Sequence, residues 1–157
     1  EEPINLDPAS SSKANETVQA QRYFTKGDNG LEQRWDGTVW MNPPYSQPLV
    51  GQFVDKLLAE LSTGNILSAI VLVNNGTETA WGQNLIAHST AVCFPAKRIK
   101  FIDADGNPGA PLQGQMIVYL QGDGTRRKVF ELADEYITPA GIFVAEFSRF
   151  GAVLING

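Results

Sequence analysis

The stretch from Gly37 to Tyr45 reads Gly-Thr-Val-Trp-Met-Asn-Pro-Pro-Tyr, and its pattern decides which fold we expect for the chain. Its first half contains branched and aromatic residues, which is typical of a short β-strand. Pro43 and Pro44 cannot extend a sheet ladder, so the chain must turn sharply after Asn42. An amide side chain, a backbone carbonyl and an aromatic ring are therefore held together at the carboxyl end of a strand. Open α/β sheets bind their ligands at that edge.

Strands and helices are predicted to alternate around this stretch. Apolar residues recur at helical spacing from Val50 to Leu61, and the nearly continuous apolar run from Ile66 to Val73 is typical of a strand buried on both faces. Further strands are predicted at 4–7, 91–94 and 152–155, and further helices at 77–88 and from Pro139 onward. We therefore expect a doubly wound α/β fold, with a mostly parallel central sheet and helices on both faces.

An antiparallel excursion is expected in the second half of the chain. Arg98 to Ile102 and Gln115 to Leu120 are predicted to be strands, and the segment between them carries a strong turn signal at Asp103 to Pro108. The two strands are therefore predicted to form a hairpin beside the parallel sheet.

Composition narrows the class of protein. A chain of 157 residues, 43% hydrophobic and 18% charged, is ordinary for one soluble globular domain with a real core. The single cysteine, Cys93, excludes a disulfide framework, and the single histidine, His88, argues against a histidine-centred metal site. No apolar stretch approaches the roughly 20 residues of a membrane span, and no signal-peptide pattern is present. We therefore expect a cytoplasmic protein with no membrane segment and no metal.

The charge pattern bears on nucleic-acid binding. A net charge of −5 argues mildly against a large DNA footprint, because DNA affinity depends on lysine and arginine side chains that neutralise phosphates. Two basic clusters, at 97–100 and 126–128, could nevertheless act as local DNA contacts, or they could be solvated faces.

The quartet Asn42-Pro43-Pro44-Tyr45 offers the groups needed to activate an amine that is attached to an aromatic ring. Such an amine is a poor nucleophile because its lone pair is delocalised into the ring. Two acceptors, Asn42 Oδ1 and the Pro43 carbonyl, would pull the nitrogen toward tetrahedral geometry, and Tyr45 would stack on the ring. The alternative is a strand that ends in a Pro-Pro turn with a surface tyrosine. The predicted strand, helix and buried strand around the quartet favour the functional interpretation.

A second polar strand end lies at Leu6-Asp7-Pro8-Ala9-Ser10. The Asp7 carboxylate could bind the amine or the ribose of a cofactor, or it could cap a helix or form an Asx turn. In the expected sheet, the strand ends at Asp7 and Asn42 can lie side by side and line one crevice. The chain has no Gly-x-Gly loop, which argues against a nicotinamide dinucleotide as the ligand.

Several further segments, in a particular order, carry a family resemblance. They are Leu6–Ser10, Arg22–Thr25, Gly30–Leu31 with Trp35, Val39–Ser46, Leu72–Asn75 with Thr77, Thr79 and Trp81, Ala91–Pro95 with Arg98 and Phe101, Pro111–Gln115, and Phe147–Gly151. With them the chain resembles the phage-type DNA N6-adenine methyltransferases over nearly all of its length. The Asn-Pro-Pro-Tyr quartet is the signature of methyltransferases that act on an amino group flat against a ring or an amide, above all adenine N6.

The resemblance implies a Rossmann-like methyltransferase fold for a single domain over residues 1–157. It also implies S-adenosylmethionine as cofactor and adenine in double-stranded DNA as substrate. The implied site consists of the catalytic residues Asn42, Pro43, Pro44 and Tyr45 and the cofactor-binding residues Asp7, Pro8, Ala9, Ser10 and Asp28. Trp81 and Arg98 are candidates for substrate binding, while packing of Trp81 in a helix and solvation of Arg98 are the alternatives.

The chain departs from the family pattern at three places, one of which is extra material at Gly124 to Ala140 before the terminal helix. Asn29 stands where a second aspartate is expected. The sequence also lacks the N-terminal Trp-x-Thr-Pro segment that helps close the cofactor pocket in the family, which predicts weaker cofactor binding. Because the same quartet also serves methylation of RNA bases and of protein glutamine, these two activities stay open as alternatives. The missing segment leaves a third, a DNA-binding domain without turnover.

Overall fold

The computed structural model describes residues 3–102, 106–110, 113–122, 130–132, 135–137 and 139–156. The strands within them are β1 (Leu6–Asp7), β2 (Arg22–Tyr23), β3 (Gly37–Met41), β4 (Ile66–Asn74), β5 (Ala91–Pro95), β6 (Gln115–Gln121), β7 (Phe130–Leu132), β8 (Glu135–Ile137) and β9 (Gly151–Ile155). The helices are α1 (Ser12–Val18), α2 (Leu49–Ser62), α3 (Ala80–Ala87) and α4 (Pro139–Phe147), and a 3-10 turn covers Gly30–Glu32. The described part of the chain is therefore a mixed α/β structure.

Seven of these strands form one sheet in the order β2-β1-β3-β4-β6-β5-β9, and β7 pairs separately with β8. The pairs β2–β1, β1–β3 and β3–β4 are parallel. The pairs β4–β6, β6–β5 and β5–β9 are antiparallel. The expectation of a mostly parallel sheet is therefore not met, because β6 enters between β4 and β5 and runs against both of them.

The predicted hairpin excursion is wrong for the same reason. Residues 98–102 contain no strand, and Ile102 makes only an isolated bridge to Pro108. The segment from Gln115 to Gln121 is instead a central strand of the main sheet, and all seven of its residues are buried. The predicted turn at 103–108 lies partly outside the described residues.

Helices cover both faces of the sheet. One core cluster joins alternate residues of β3, β4 and β6 to the apolar face of α2 and to Leu85 of α3. A second cluster joins the intervening residues of β4, β5 and β6 to Phe143 and Phe147 of α4. Successive strand residues point to opposite faces, so the two clusters lie on opposite sides of the sheet. Helix α1 contributes no buried residue.

Candidate active site

The carboxyl ends of β1, β3 and β4 lie next to one another at one edge of the sheet. Leu6 pairs with Val39, so Asp7 at the end of β1 and Asn42 just after β3 belong to neighbouring parallel strands. The chain leaves β1 for β2 on one side and returns to β3 on the other, so the strand order reverses between β1 and β3. Ligands of open α/β sheets bind at such a reversal. The predicted proximity of the two strand ends is confirmed.

The quartet folds as a turn that joins β3 to α2. Pro43 is buried and Pro44 is exposed, and α2 begins after Pro48 with the Val50 N–H bonded to the Ser46 carbonyl at 3.2 Å. The apolar side of α2 packs into the core through Phe53, Val54 and Leu57, and Val50 in its first turn is buried as well. This packing fixes the position of the turn relative to the end of β3.

Within the quartet, the Tyr45 hydroxyl donates a hydrogen bond of 2.7 Å to Asn42 Oδ1. The same hydroxyl lies 3.4 Å from the Leu72 carbonyl oxygen of β4. Burial raises the pKa of Tyr45 well above its usual range, so the hydroxyl keeps its proton. The Tyr45 ring meets Phe101 edge to face, with 5.8 Å between the ring centroids. Tyr45 is therefore hydrogen-bonded to the residue that follows β3 and contacts the loop that follows β5.

A cleft of about 310 Å³ opens beside Tyr45, and neither Asn42 nor Asp7 is among the residues that line it. Its walls include two aromatic side chains and four amides: Tyr45, Trp81, Gln47, Asn74, Asn75 and Gln113. Aromatic faces bind flat rings by stacking, and amides recognise the polar edges of such rings. The cleft therefore suits a flat heteroaromatic ligand.

The loop from β4 to α3 fixes Trp81 as a wall of this cleft. Thr79, at the N-cap of α3, accepts the Gly82 N–H at 3.0 Å and donates to the Gly76 carbonyl at 2.6 Å. A Cβ at Gly82 would lie 2.1 Å from the Gly76 oxygen, and a Cβ at Gly76 would lie 2.7 Å from the Trp81 ring. Only glycines allow this close approach. The Trp81 Nε1 is buried and has no hydrogen-bond partner in the described part of the chain.

Asp7 forms an Asx turn, which the sequence analysis gave as the alternative to cofactor binding. Its Oδ1 accepts the Ala9 N–H at 3.2 Å, which is an Asx turn, while the N-cap of α1 is Ser11. Asp7 is only 2% exposed. Burial raises the pKa of Asp7, and hydrogen bonds from Ser10 and Ala9 oppose that rise. The cofactor role predicted for Asp7–Ser10 stays a prediction.

Asp28 lies in the loop after β2, close to the Asp7–Ser10 segment. Its exposed carboxylate accepts hydrogen bonds from the Thr25 hydroxyl at 2.6 Å and the Thr25 N–H at 2.8 Å, and these bonds lower the pKa of Asp28. A Cβ at Gly30 would lie 2.0 Å from the Pro8 oxygen, so this glycine allows the two loops to touch. The two segments predicted to bind the cofactor are therefore neighbours, at the ends of adjacent strands.

The departure at Asn29 has a backbone explanation. Asn29 has a φ of 49°, in the left-handed region where asparagine and aspartate are the best tolerated residues after glycine. The buried Trp35 donates its indole N–H to the neighbouring Gly30 carbonyl at 2.7 Å and holds the loop in place. Asn29 therefore fits the turn without a carboxylate.

Arg98 lies in the loop that follows β5 and is exposed. β5 runs in the same direction as β4, because both are antiparallel to β6, so this loop is at the same edge of the sheet as the quartet. Phe101 of the loop contacts Tyr45, and the Ile99 N–H bonds to Gln115 Oε1 at 2.9 Å. Arg98 does not line the cleft itself. The second basic cluster, 126–128, lies outside the described residues.

Sequence reasoning did not single out Gln47 or Asn74 as cleft residues. Asn74 carried a signal, since it is a polar residue directly after an apolar strand. Gln47 and Gln113 meet at the cleft only through the tertiary fold, and no local pattern marks them as neighbours.

Comparison with known protein families decides the class of the chain. Residues 2–129 match the family model described as DNA N-6-adenine-methyltransferase (Dam). The chain belongs to the Dam family. The resemblance inferred from the sequence is thereby confirmed, and every residue of the candidate site described above lies within the matched range.

Other comparisons add little to the Dam assignment. No curated protein matches the chain. Among solved structures, the chain is similar to Thermoplasma acidophilum protein 1320, with 12% sequence identity and a TM-score of 0.37 over 72% of this chain and 63% of that one. A similarity at this level carries no argument about fold or function. No helix in the described ranges is long and apolar enough to cross a membrane, and those residues contain no group of three or more potential metal ligands among His, Cys, Asp and Glu.

Proposed function

We propose that this Dam-family chain transfers a methyl group from S-adenosylmethionine to the N6 amine of adenine in double-stranded DNA. One observation carries the proposal. The Asn42 carboxamide and the Pro43 carbonyl lie at the carboxyl end of β3, beside the reversal of strand order, and Asn42 is hydrogen-bonded to Tyr45, which lines a cleft together with Trp81.

The two oxygens supply what the amine of adenine lacks. Its lone pair is delocalised into the purine ring, and acceptors for both amine hydrogens would draw the nitrogen toward tetrahedral geometry. Among the described residues nothing donates a hydrogen bond to the Pro43 carbonyl, and Asn42 Oδ1 accepts only the Tyr45 hydroxyl. A carboxamide oxygen has two lone pairs, so Asn42 keeps one for the amine. No strong base is required, because the nitrogen becomes cationic on methylation and then loses a proton readily to water.

The aromatic walls of the cleft would hold the base. Adenine in a duplex must leave the helical stack before it can reach an enclosed site. Stacking on an aromatic side chain offsets part of that cost, by roughly 1–3 kcal/mol per base. Tyr45 and Trp81 both line the cleft, so their rings could contact a flipped base.

The residues at the ends of β1 and β2 fit the proposed cofactor. S-adenosylmethionine, when bound, supplies a methyl group on a positively charged sulfonium. We infer that the Asp7–Ser10 turn and the exposed carboxylate of Asp28 hold it, because carboxylates suit its amine and its ribose hydroxyls. Both segments are at the same edge of the sheet as Asn42, as a Rossmann-like methyltransferase fold requires.

The loop after β5 is the proposed contact with the DNA backbone. Lys97, Arg98 and Lys100 are exposed there, beside the Phe101 that contacts Tyr45. Cationic side chains at that position would neutralise phosphates next to the flipped nucleotide. The net charge of −5 for the whole chain makes such a local contact more important.

A methylation assay tests the proposed function. The purified protein is incubated with S-adenosylmethionine carrying an isotopically labelled methyl group and with duplex DNA, RNA or a glutamine-containing protein, and the modified nucleoside is identified by mass spectrometry. We expect N6-methyladenine in the DNA. Asn42→Ala should abolish turnover and leave cofactor affinity, measured by calorimetry, nearly unchanged. Label in RNA or protein alone, or near-normal rates in Asn42→Ala, would contradict the proposal. Absence of cofactor binding would favour a DNA-binding domain without turnover.

A further inference from the structure

For the proposed reaction, the Asn42 carboxamide must point its oxygen, and not its NH2 group, at the target amine. The oxygen and the nitrogen of a carboxamide have nearly the same size, so rotation by 180° about the last side-chain bond costs little by shape alone. In one orientation an acceptor faces the amine. In the other, an NH2 group faces an NH2 group, and the amine loses its hydrogen bond.

The Tyr45 hydroxyl is the group that distinguishes the two orientations. In the described part of the chain it is the single hydrogen-bond partner of the Asn42 side chain, at 2.7 Å from Oδ1. If the carboxamide were reversed, the hydroxyl would receive an N–H, and its own proton would have to go to the Leu72 carbonyl, which is 3.4 Å away. That distance is outside the 2.5–3.0 Å range of a normal O–H···O bond. Reversal therefore replaces one short O–H···O bond to a strong carboxamide acceptor by an N–H···O bond to the phenolic oxygen, a weaker acceptor, and leaves the hydroxyl proton with only a distant partner.

We propose that the Tyr45 hydroxyl is a positioning group, which holds the Asn42 carboxamide with its oxygen available to the target amine. This inference rests on the proposed function and adds a second role for Tyr45, separate from the stacking of its ring. Burial disfavours the phenolate and raises the pKa of Tyr45, so the hydroxyl keeps its proton at neutral pH and can act as a donor.

A double-mutant cycle with Tyr45→Phe and Asn42→Asp tests the proposal. Tyr45→Phe keeps the ring and removes the hydroxyl. Asn42→Asp replaces the carboxamide by a carboxylate, whose two oxygens are both acceptors, so no orientation needs to be selected. Single-turnover rates of methyl transfer and DNA dissociation constants are measured for all four proteins. Tyr119→Phe is the matched control, because Tyr119 is a buried tyrosine that stacks on Phe143 in the second core cluster.

We expect Tyr45→Phe to slow methyl transfer about 5- to 10-fold when Asn42 is retained, the loss expected for one hydrogen bond. When Tyr45→Phe is combined with Asn42→Asp, it should alter the rate by less than about 2-fold relative to the Asn42→Asp single variant. DNA affinity should stay within about 2-fold throughout, because the stacking ring is retained. An equal loss of rate with and without Asn42→Asp, or no loss when Asn42 is retained, would overturn the proposal.

A second measurement does not depend on methyl transfer. The side-chain NH2 signals of Asn42 in a proton–nitrogen correlation spectrum are identified by their absence from Asn42→Asp. Tyr45→Phe should shift these signals, and Tyr119→Phe should not. Unshifted signals would overturn the inferred hydrogen bond. If the wild-type protein fails to methylate DNA adenine, the proposed function fails, while the spectrum still decides whether the hydroxyl holds the carboxamide.

Discussion

Asp7→Asn should weaken cofactor binding while keeping the turn that Asp7 forms. In the structure Asp7 Oδ1 accepts the Ala9 N–H at 3.2 Å, and an asparagine oxygen can accept the same hydrogen bond. Asp7→Ala removes both the acceptor and the negative charge. The two variants together therefore separate the charge of Asp7 from its role in the backbone turn.

The expected loss of affinity follows from the kind of contact proposed. If the Asp7 carboxylate binds the amine or a ribose hydroxyl of the cofactor, Asp7→Asn loses a charge-assisted hydrogen bond, worth about 1.5–3 kcal/mol. This energy corresponds to roughly a 10- to 150-fold increase in the dissociation constant. Calorimetric titration with S-adenosylmethionine measures it. Unchanged affinity in Asp7→Asn, together with weaker binding in Asp7→Ala, would refute the cofactor role and leave Asp7 as a turn residue.

The same substitution should have the opposite effect on stability. Asp7 is 2% exposed, and burial raises its pKa above the ordinary value of 3.8. The folded state therefore binds this proton more tightly than the unfolded state, and the contribution of Asp7 to stability falls as the pH rises from 3.8 through the folded pKa. The asparagine of Asp7→Asn does not titrate, so this variant carries no buried carboxylate charge. Its melting temperature should equal or exceed the wild-type value at about pH 7, and the difference should disappear toward about pH 3. A variant that melts clearly below the wild type at pH 7 would contradict this reasoning.

Two further predictions concern the DNA contact and the cleft wall. Arg98→Gln should weaken duplex binding. The affinity should also fall less steeply with salt, so that the magnitude of the slope of log affinity against log salt concentration decreases by about 1. Arg34→Gln, just before β3 at the opposite edge of the sheet, is the control, and equal losses in both variants would exclude a local contact. Gly82→Ala should lower the free energy of unfolding by about 1–3 kcal/mol, because its Cβ would lie 2.1 Å from a backbone oxygen. Gly51→Ala, with no neighbour closer than 4.0 Å, should cause no such loss, and indistinguishable unfolding curves would disprove the clash.

The part of the fold that the sequence predicts well is the part that depends on local signals. The strand before the quartet, the Pro-Pro turn, α2 and β4 all have the predicted type and nearly the predicted bounds. Each has a strong local cause: two adjacent prolines, an apolar face at helical spacing, or a long apolar run. The hydrogen bond between Tyr45 and Asn42 is also local, since the two residues are three positions apart in one turn, but the sequence analysis did not predict it.

The part that the sequence does not predict depends on which strands become neighbours. Nothing in the composition of β6 shows that it separates β4 from β5, because a strand buried on both faces has the same apolar pattern in a parallel or an antiparallel pair. The segment 98–102 has the composition of a strand but does not form one. The Ile99 N–H donates to the side chain of Gln115 and not to the backbone of a neighbouring strand. For the same reason the cleft residues Gln47 and Gln113 could not be predicted as neighbours.

The proposed site has two parts. The amine-binding groups depend on a local turn, and the position of the cofactor turn relative to them depends on the pairing of β1 with β3. The amine-accepting groups of Asn42 and Pro43 are set by their own turn, but their distance from Asp7 is set by the register of Leu6 opposite Val39. Leu6 is fully buried and Val39 is 4% exposed, and both belong to the same core cluster. A shift by one residue would turn Leu6 out of that cluster, so burial holds the register. The hydrophobic core thus fixes the separation between the proposed cofactor turn and the proposed amine site.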